Sequence, residues 1–296
     1  MPLAFSLSHI HYSYPGGVPA LQDISLTISQ GEKVALLGAN GCGKSTLIKI
    51  LDGLLFPTSG QILAFGLELS EAALRDEETA YRFRRRVGFI FQNSDAQLFS
   101  PTVREEIAFG PLQMGLAEAD VLRRLCDAAE LLGIVPLLDR PPFRLSGGEK
   151  KKVAIASSLV VNPDVLLLDE PTSGLDPRSQ AELVELLERL HAAGKTLVTA
   201  THDLGIVPRI ADRALVFTEE HTLAADGPSA QLLRDMPLLL RVNLIHEHMH
   251  RHGDIIHSHP HFHDHEHDHS HSSLELGGHA HASHAVPAAE PHESAQ

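Results

Sequence analysis

Cysteine is scarce in this sequence: Cys42 and Cys126 are the two in 296 residues. Two thiols cannot build the disulfide framework that staples small secreted domains, so a reducing setting fits. A basic excess is lacking too. The formal net charge is −14, the wrong sign for a chain that holds nucleic acid through its phosphates, and no nucleic-acid partner is expected. No apolar run approaches the roughly 18–20 residues of a membrane span, and the first residues carry no signal-peptide pattern. The expectation is a chain soluble by itself, whose dealings with a membrane go through partners. The length allows one large domain or two small ones, with ample room for a buried core.

What the chain has in excess is histidine, 21 in all. Five stand at His9, His11, His191, His202 and His221, and the other sixteen fall between His246 and His292. Two compositions therefore follow one another. Residues 1–245 read as a globular body, and residues 246–296 as a histidine-rich tail expected to be disordered, because a polar low-complexity segment buries too little to pay for ordering.

Within the body, Gly38-Ala39-Asn40-Gly41-Cys42-Gly43-Lys44-Ser45-Thr46 follows an apolar run, Lys33 to Leu37, and precedes another, Leu47 to Leu51. The first run reads as a buried strand and the second as a helix. This is the context a phosphate-binding loop requires. Glycines let backbone N–H groups turn inward around a phosphate chain, and the helix N-terminus adds partial positive charge. Lys44 would reach the β- and γ-phosphates, and the Ser45 hydroxyl would ligate Mg²⁺. A bare strand-to-helix turn would not need the whole pattern.

Further groups fall where such a site would use them. The alternating segment Ala4–Tyr14 and the run Leu21–Ile28 read as strands joined through Pro15-Gly16-Gly17. Tyr14 could stack on an adenine ring or be a strand-end core residue. Arg82, Arg84, Arg85 and Arg86 read as a solvated charged face ahead of a strand, Val87–Phe91. Gln92 follows that strand at the sheet edge where ligands of open α/β sheets bind, able to coordinate Mg²⁺ or orient water. Residues 117–133 carry apolar positions at helical spacing. Ser146, Gly147 and Gly148 open a helical run and offer a hydroxyl and backbone N–H groups to an anion. Val165–Leu168 is a continuous apolar run, as expected of a strand buried on both faces, and it ends in Asp169-Glu170. Asp169 suits Mg²⁺, and Glu170 suits a general base acting on the water that attacks a γ-phosphate. His202 stands beyond the strand Thr196–Ala200. A lone histidine there is usually structural, but the shared sheet edge favours a γ-phosphate contact. Strands alternating with helices predict an α/β fold with a mostly parallel sheet.

In this order the pieces resemble the ATP-binding subunit of ATP-binding-cassette (ABC) transporters. The resemblance covers residues 3 to about 235 and rests on seven elements. They are the aromatic Tyr14, the Walker A loop Gly38–Thr46, Gln92 of the Q-loop, the signature Leu145–Glu149, Walker B ending in Asp169-Glu170, the D-loop Ser173–Asp176, and the switch histidine His202. The common signature ends in Gln where this chain has Glu149, a variant the family tolerates. The resemblance implies a P-loop NTPase with a RecA-like core, an antiparallel β-subdomain and a helical subdomain at about residues 93–160. It implies ATP and Mg²⁺ as cofactors, and catalysis by Glu170, His202, Gln92 and Lys44. In this family ATP lies between the Walker A of one cassette and the signature of another, so a homodimer or a paralogous pair is implied.

The segments Phe91–Val103 and Glu105–Pro111 are similar to the ATPase of energy-coupling-factor importers, particularly the cobalt/nickel branch. That likeness implies a transmembrane coupling subunit, a substrate-capture membrane subunit, and a position at the cytoplasmic face of the membrane. The tail adds His257, His259, His261, His263, His265, His267, His269 and His271, one at every second position, with Asp264, Glu266 and Asp268 between them. Imidazole suits Ni²⁺, Co²⁺, Zn²⁺ and Cu²⁺, and the carboxylates add charge. Several exchangeable sites are expected rather than one closed one. A solvated tail without metal and a purification tag are the plainer readings, although a tag rarely interleaves acids. The leading expectation is therefore the ATPase of a nickel or cobalt importer. The alternatives are the same kind of ATPase serving another substrate such as a vitamin, with the tail as a metal buffer, and a non-transport cassette ATPase. The paired cassettes or long coiled coils of the last class are not present.

Overall fold

The computed structural model describes residues 1–252 and 255–262. The chain opens with an antiparallel pair, β1 (Leu3–Tyr14) and β2 (Val18–Ser29), closed by a turn in which Gly17 N donates to Tyr14 O at 3.1 Å. β3 (Lys33–Leu37) runs into the glycine loop and α1 (Lys44–Leu51). β4 (Ser59–Ala64) and β5 (Leu67–Glu68) then complete a four-stranded antiparallel sheet in the order β2-β1-β4-β5. After α2 (Glu77–Arg84) comes β6 (Val87–Ile90), which stops one residue short of the expected Phe91. The next elements are helical: α3 (Val103–Gln113), α4 (Glu118–Leu131) and α5 (Gly147–Leu159). The chain returns to sheet with β7 (Val165–Asp169), α6 (Pro177–Ala192), β8 (Thr196–Ala200), α7 (Val207–Ile210), β9 (Arg213–Phe217) and β10 (Leu223–Pro228). Two short helices follow, α8 (Ser229–Leu232) and α9 (Met236–Arg241). Among the described residues no helix is long and apolar enough to cross a membrane.

The second sheet has the order β10-β9-β3-β8-β7-β6, parallel throughout except for β10 at its edge. Its apolar runs are explained by what covers each face. On β3, Ala35 and Leu37 pack into one core with Leu166 and Leu168 of β7 and apolar residues of α3 to α6. Val34 and Leu36, with Val165 and Leu167, face a second core built with α1 and the inner residues of β1 and β2, among them Phe5, Ile10 and Ile24. Successive strand residues point to opposite faces, so a strand covered on both sides must be apolar at every position. The polar residues appear where the strands end, and β3, β7 and β8 end together.

Where composition alone predicts no regular structure after residue 245, β11 (Ile245–His252) and β12 (Ile255–Phe262) pair antiparallel. A residue type repeated at every second position is also a strand pattern. The register sets His246 opposite His261, His248 opposite His259 and His250 opposite His257. His263, His265, His267, His269 and His271 lie outside the described residues.

Candidate functional site

The loop between β3 and α1 is shaped by contacts that only glycine permits. Gly43 has φ 112°, and a Cβ there would collide with the Ala20 carbonyl oxygen of β2. Among the described residues, the backbone N–H groups of Asn40, Gly41 and Gly43 take no acceptor, and the first turn of α1 adds its own unpaired donors. Lys44 is 6 % exposed. Its Nζ donates to the loop's own carbonyls, Gly38 O at 2.8 Å and Ala39 O at 3.0 Å. A ring of free N–H donors around a held ammonium is a cradle for phosphate oxygens.

The ends of β7 and β8 supply the opposite charge. Asp169 closes β7, and its Oδ1 accepts from the Ser45 hydroxyl at 2.8 Å. Burial pushes the Asp169 carboxyl above its usual range. The Ser45 hydrogen bond pulls the other way, and the neighbouring Glu170 charge pushes it further up. A hydroxyl and a carboxylate joined at the foot of a phosphate cradle are hard oxygen donors of the kind Mg²⁺ takes, so these residues fit the ion.

Glu170 is 6 % exposed and sits at φ 44°, a left-handed conformation that a non-glycine residue adopts only at a cost of order 1–3 kcal/mol. Two hydrogen bonds hold it there. Its N–H donates to Ala200 O at 2.9 Å, and its Oε1 lies 2.8 Å from His202 Nδ1. With the carboxylate ionised, that ring nitrogen carries the proton and donates. His202 thus orients Glu170, with its other ring nitrogen left over for a ligand.

A cleft of about 530 Å³ gathers Tyr14, Asn40, Gly41, Gly43, Lys44, Ser45, Thr46, Gln92, Glu170 and His202 on its walls. Tyr14 is exposed, tied by its hydroxyl to Thr46 Oγ1 at 3.0 Å and packed edge-on to Tyr12 with ring centroids 5.1 Å apart. Ser146, Gly147 and Gly148 are not on that wall. They open α5, and Gly148 lines a separate cavity beside Leu175 and Ser179. There Ser146 caps α5 by accepting from Glu149 N at 3.3 Å, and the Glu149 carboxylate accepts from Ser146 N at 2.7 Å. Those hydrogen bonds hold the Glu149 carboxyl below its ordinary range. The unusual last residue of the signature is therefore half of a capping box.

Three residues that sequence reasoning did not single out hold this frame. Lys151 is 3 % exposed, and its Nζ donates to Phe91 O at 3.0 Å and Gln92 O at 2.9 Å, tying α5 to the segment that carries Gln92. Desolvation drives its ammonium down to about 8, opposed by the Asp169 charge. The signal was available: Lys151 lies three and four residues before the buried Ala154 and Ile155, on the inward stripe of α5. Gln97 Oε1 accepts from Phe91 N at 3.2 Å while its Nε2 donates to Ala154 O at 3.0 Å. Glu106, 4 % exposed, accepts from Phe99 N and Ser100 N at 2.9 and 2.7 Å. A loop glutamine and one acid in a helical charge run carry no comparable sequence signal.

A protein-family model described as ABC transporter matches residues 21–173. The nickel import ATP-binding protein NikO of Rhodobacter capsulatus is 50 % identical over 248 residues, which are 83 % of this chain and 97 % of NikO. The nickel import ATP-binding protein LarO of Lactiplantibacillus plantarum is 44 % identical over 226 residues, covering 76 % of this chain and 93 % of LarO. Among solved structures, CbiO1 from Clostridium perfringens, part of the ABC transporter complex CbiONQ, is similar with a TM-score of 0.70 at 37 % identity, over 82 % of this chain and 96 % of CbiO1. Identity of this degree over four-fifths of the sequence, on a shared fold, makes this chain a member of the ABC transporter ATP-binding protein family.

Proposed function

We propose that this chain hydrolyses ATP to power the import of a transition-metal ion, nickel or cobalt, through separate membrane subunits. The observation that carries the reading is the meeting of Lys44, Ser45, Glu170 and His202 around one cleft, with Asp169 hydrogen-bonded to Ser45, in a chain half identical to a nickel import ATP-binding protein. Nickel comes from those relatives, cobalt from the resemblance of Phe91–Val103 and Glu105–Pro111, and both suit the histidines after residue 245, while the ATPase comes from the cleft.

In this reading Lys44 leaves the Gly38 and Ala39 carbonyls for the β- and γ-phosphates, and the N–H groups of Asn40, Gly41 and Gly43 take phosphate oxygens. Ser45, Asp169 and Gln92 would hold Mg²⁺, which would supply positive charge against the phosphate oxygens. Glu170 accepts the proton of the attacking water as the bond from the γ-phosphorus to the ADP oxygen breaks. His202 steadies the Glu170 carboxylate through Nδ1–H and, with both ring nitrogens protonated, donates Nε2–H to the γ-phosphate. Tyr14 stacks on the adenine. Ser146, Gly147 and Gly148 stand away from the cleft and serve the nucleotide of a second cassette, so the working unit is a homodimer or a paralogous pair. Residues 1–245 form the cassette, with residues 93–160 as its helical part. Residues 246–296 bind metal, His257 to His271 among the ligands. The pair sits at the cytoplasmic face of the membrane against a coupling subunit and a substrate-capture subunit.

The test is nickel accumulation in intact cells with the wild-type gene, without it, and with Lys44→Ala, with cobalt and zinc in parallel. Nickel uptake that depends on the chain and on Lys44 supports the proposal and names the metal. If no metal's accumulation changes, the cassette powers another substrate, such as a vitamin, and the metal reading is lost.

A further inference from the structure

One wall of the cleft belongs to a residue with no role so far. His221 stands in the connection between β9 and β10, and it joins Tyr14, Gly41, Lys44, Glu170 and His202 around the cleft. Its backbone is fixed from two sides: His221 N donates to Thr218 O at 3.1 Å, and its carbonyl accepts from Gln22 N of β2 at 2.9 Å. It also has φ 65°, in the left-handed region that glycine adopts without cost. Histidine is tolerated there better than most residues but remains strained. Strain held in place beside a cleft is a reason to look for function.

The ring sharpens the point. Nδ1 is shielded from solvent and has no hydrogen-bond partner among the described residues. A shielded bare lone pair is less costly to leave unpaired than a shielded N–H, so the proton belongs on Nε2. Nε2 is not among the shielded atoms, and no protein group in the described residues takes it. The ring thus brings one unspent N–H donor to a cleft built for an anion.

Sheet order decides which part of a nucleotide that donor meets. β8 and β7, which lead to His202 and Glu170, lie on one side of β3, and β9 lies on the other. The hydrolytic end of the polyphosphate is on the β8 and β7 side. His221, reached from β9, is on the opposite flank of the phosphate loop. We propose that His221 is a nucleotide-binding residue that donates its Nε2–H to an oxygen of the ribose or α-phosphate of a bound nucleoside di- or triphosphate. The inference rests on the reading of this cleft as an ATP site.

The test uses the full-length protein and calorimetric titration with MgADP. His221→Gly deletes the ring at a backbone angle that glycine prefers, so the variant keeps its fold, and its apo thermal midpoint is expected to equal or exceed that of the wild type. MgADP affinity should fall about tenfold, the scale of one hydrogen bond to a charged oxygen. The KM for ATP should rise in proportion, and by more than kcat changes. His221→Asn, which tolerates this backbone angle and restores an N–H donor, should recover part of the loss. Unchanged MgADP affinity in His221→Gly beside a clear loss in Lys44→Ala overturns the inference alone. Unchanged affinity in both variants overturns the reading of the cleft beneath it. A fall in kcat with KM unchanged also overturns it, by moving His221 to the hydrolytic end.

Discussion

Replacing Lys151 with methionine should separate activity from stability. The ammonium is almost fully buried and holds the Phe91 and Gln92 carbonyls at 3.0 and 2.9 Å. Keeping a charge there has a cost. A fall from 10.5 to about 8 corresponds to roughly 3 kcal/mol against the charged form at neutral pH. Methionine removes that cost but leaves two carbonyls without their donor, at about 1–3 kcal/mol each. The terms oppose, so Lys151→Met should unfold at pH 7 within roughly 3 kcal/mol of the wild type. Turnover should nevertheless drop severalfold or more, because the backbone that carries Gln92 loses its direct tie to α5 and keeps only the Gln97 bridge at Phe91.

The pH dependence isolates the lysine. Below pH 8 both folded and unfolded chains bind the proton and the cost is fully present. Between about 8 and 10.5 the unfolded chain binds more protons than the folded one, so stability rises with pH. Going from pH 7 to 9.5 the wild type should gain about 2 kcal/mol relative to Lys151→Met. Urea unfolding of both proteins at the two pH values measures that difference. A difference near zero, or unimpaired ATPase in the variant, would refute the reasoning.

Glu170→Gln should lower ATP turnover by about 10²–10⁴-fold, the usual contribution of a general base, while ATP binding persists; phosphate release and nucleotide titration read the two. Ser45→Ala should raise the Mg²⁺ concentration needed for half-maximal activity, since it removes a ligand and frees Asp169 from its 2.8 Å bond. Thiol labelling of the native protein should be fast at Cys126, which is exposed, and slow at Cys42, which is 1 % exposed with its thiol pushed up by burial. Equal rates would mean that the phosphate loop opens. Deleting residues 246–296 should leave basal ATPase near the wild-type rate and lower nickel bound per chain in equilibrium dialysis; loss of hydrolysis would make the tail part of the catalytic body.

Much of this molecule was legible before its structure. The parallel sheet could be read because strands covered on both faces have to be apolar at each position, as Val165–Leu168 is, and the acids at its tip then mark the carboxyl edge. The phosphate loop could be read because backbone N–H groups can wrap an anion only where glycines let them. The helix limits read from residues 117–133 were right to within two residues at α4. Around the site, what escaped were residues that act through the chain's path in space. Lys151 looked like one lysine in a run of three, Gln97 like a loop amide and His221 like a turn residue. After residue 245, composition suggested disorder, while the same alternation of residues also suits the β11–β12 pair.

The sequence by itself determined the class of fold, the cradle for phosphate and the acids that face it, because each depends on residue types at short fixed spacing. Only the tertiary structure decided that His202 grips Glu170 across 32 positions, that Ser45 reaches Asp169 across 124, and that Ser146–Gly148 stand apart from the cleft. Those outcomes depend on the order of strands in the sheet. Strand order is a property of the whole packed chain and leaves no local trace in any one segment.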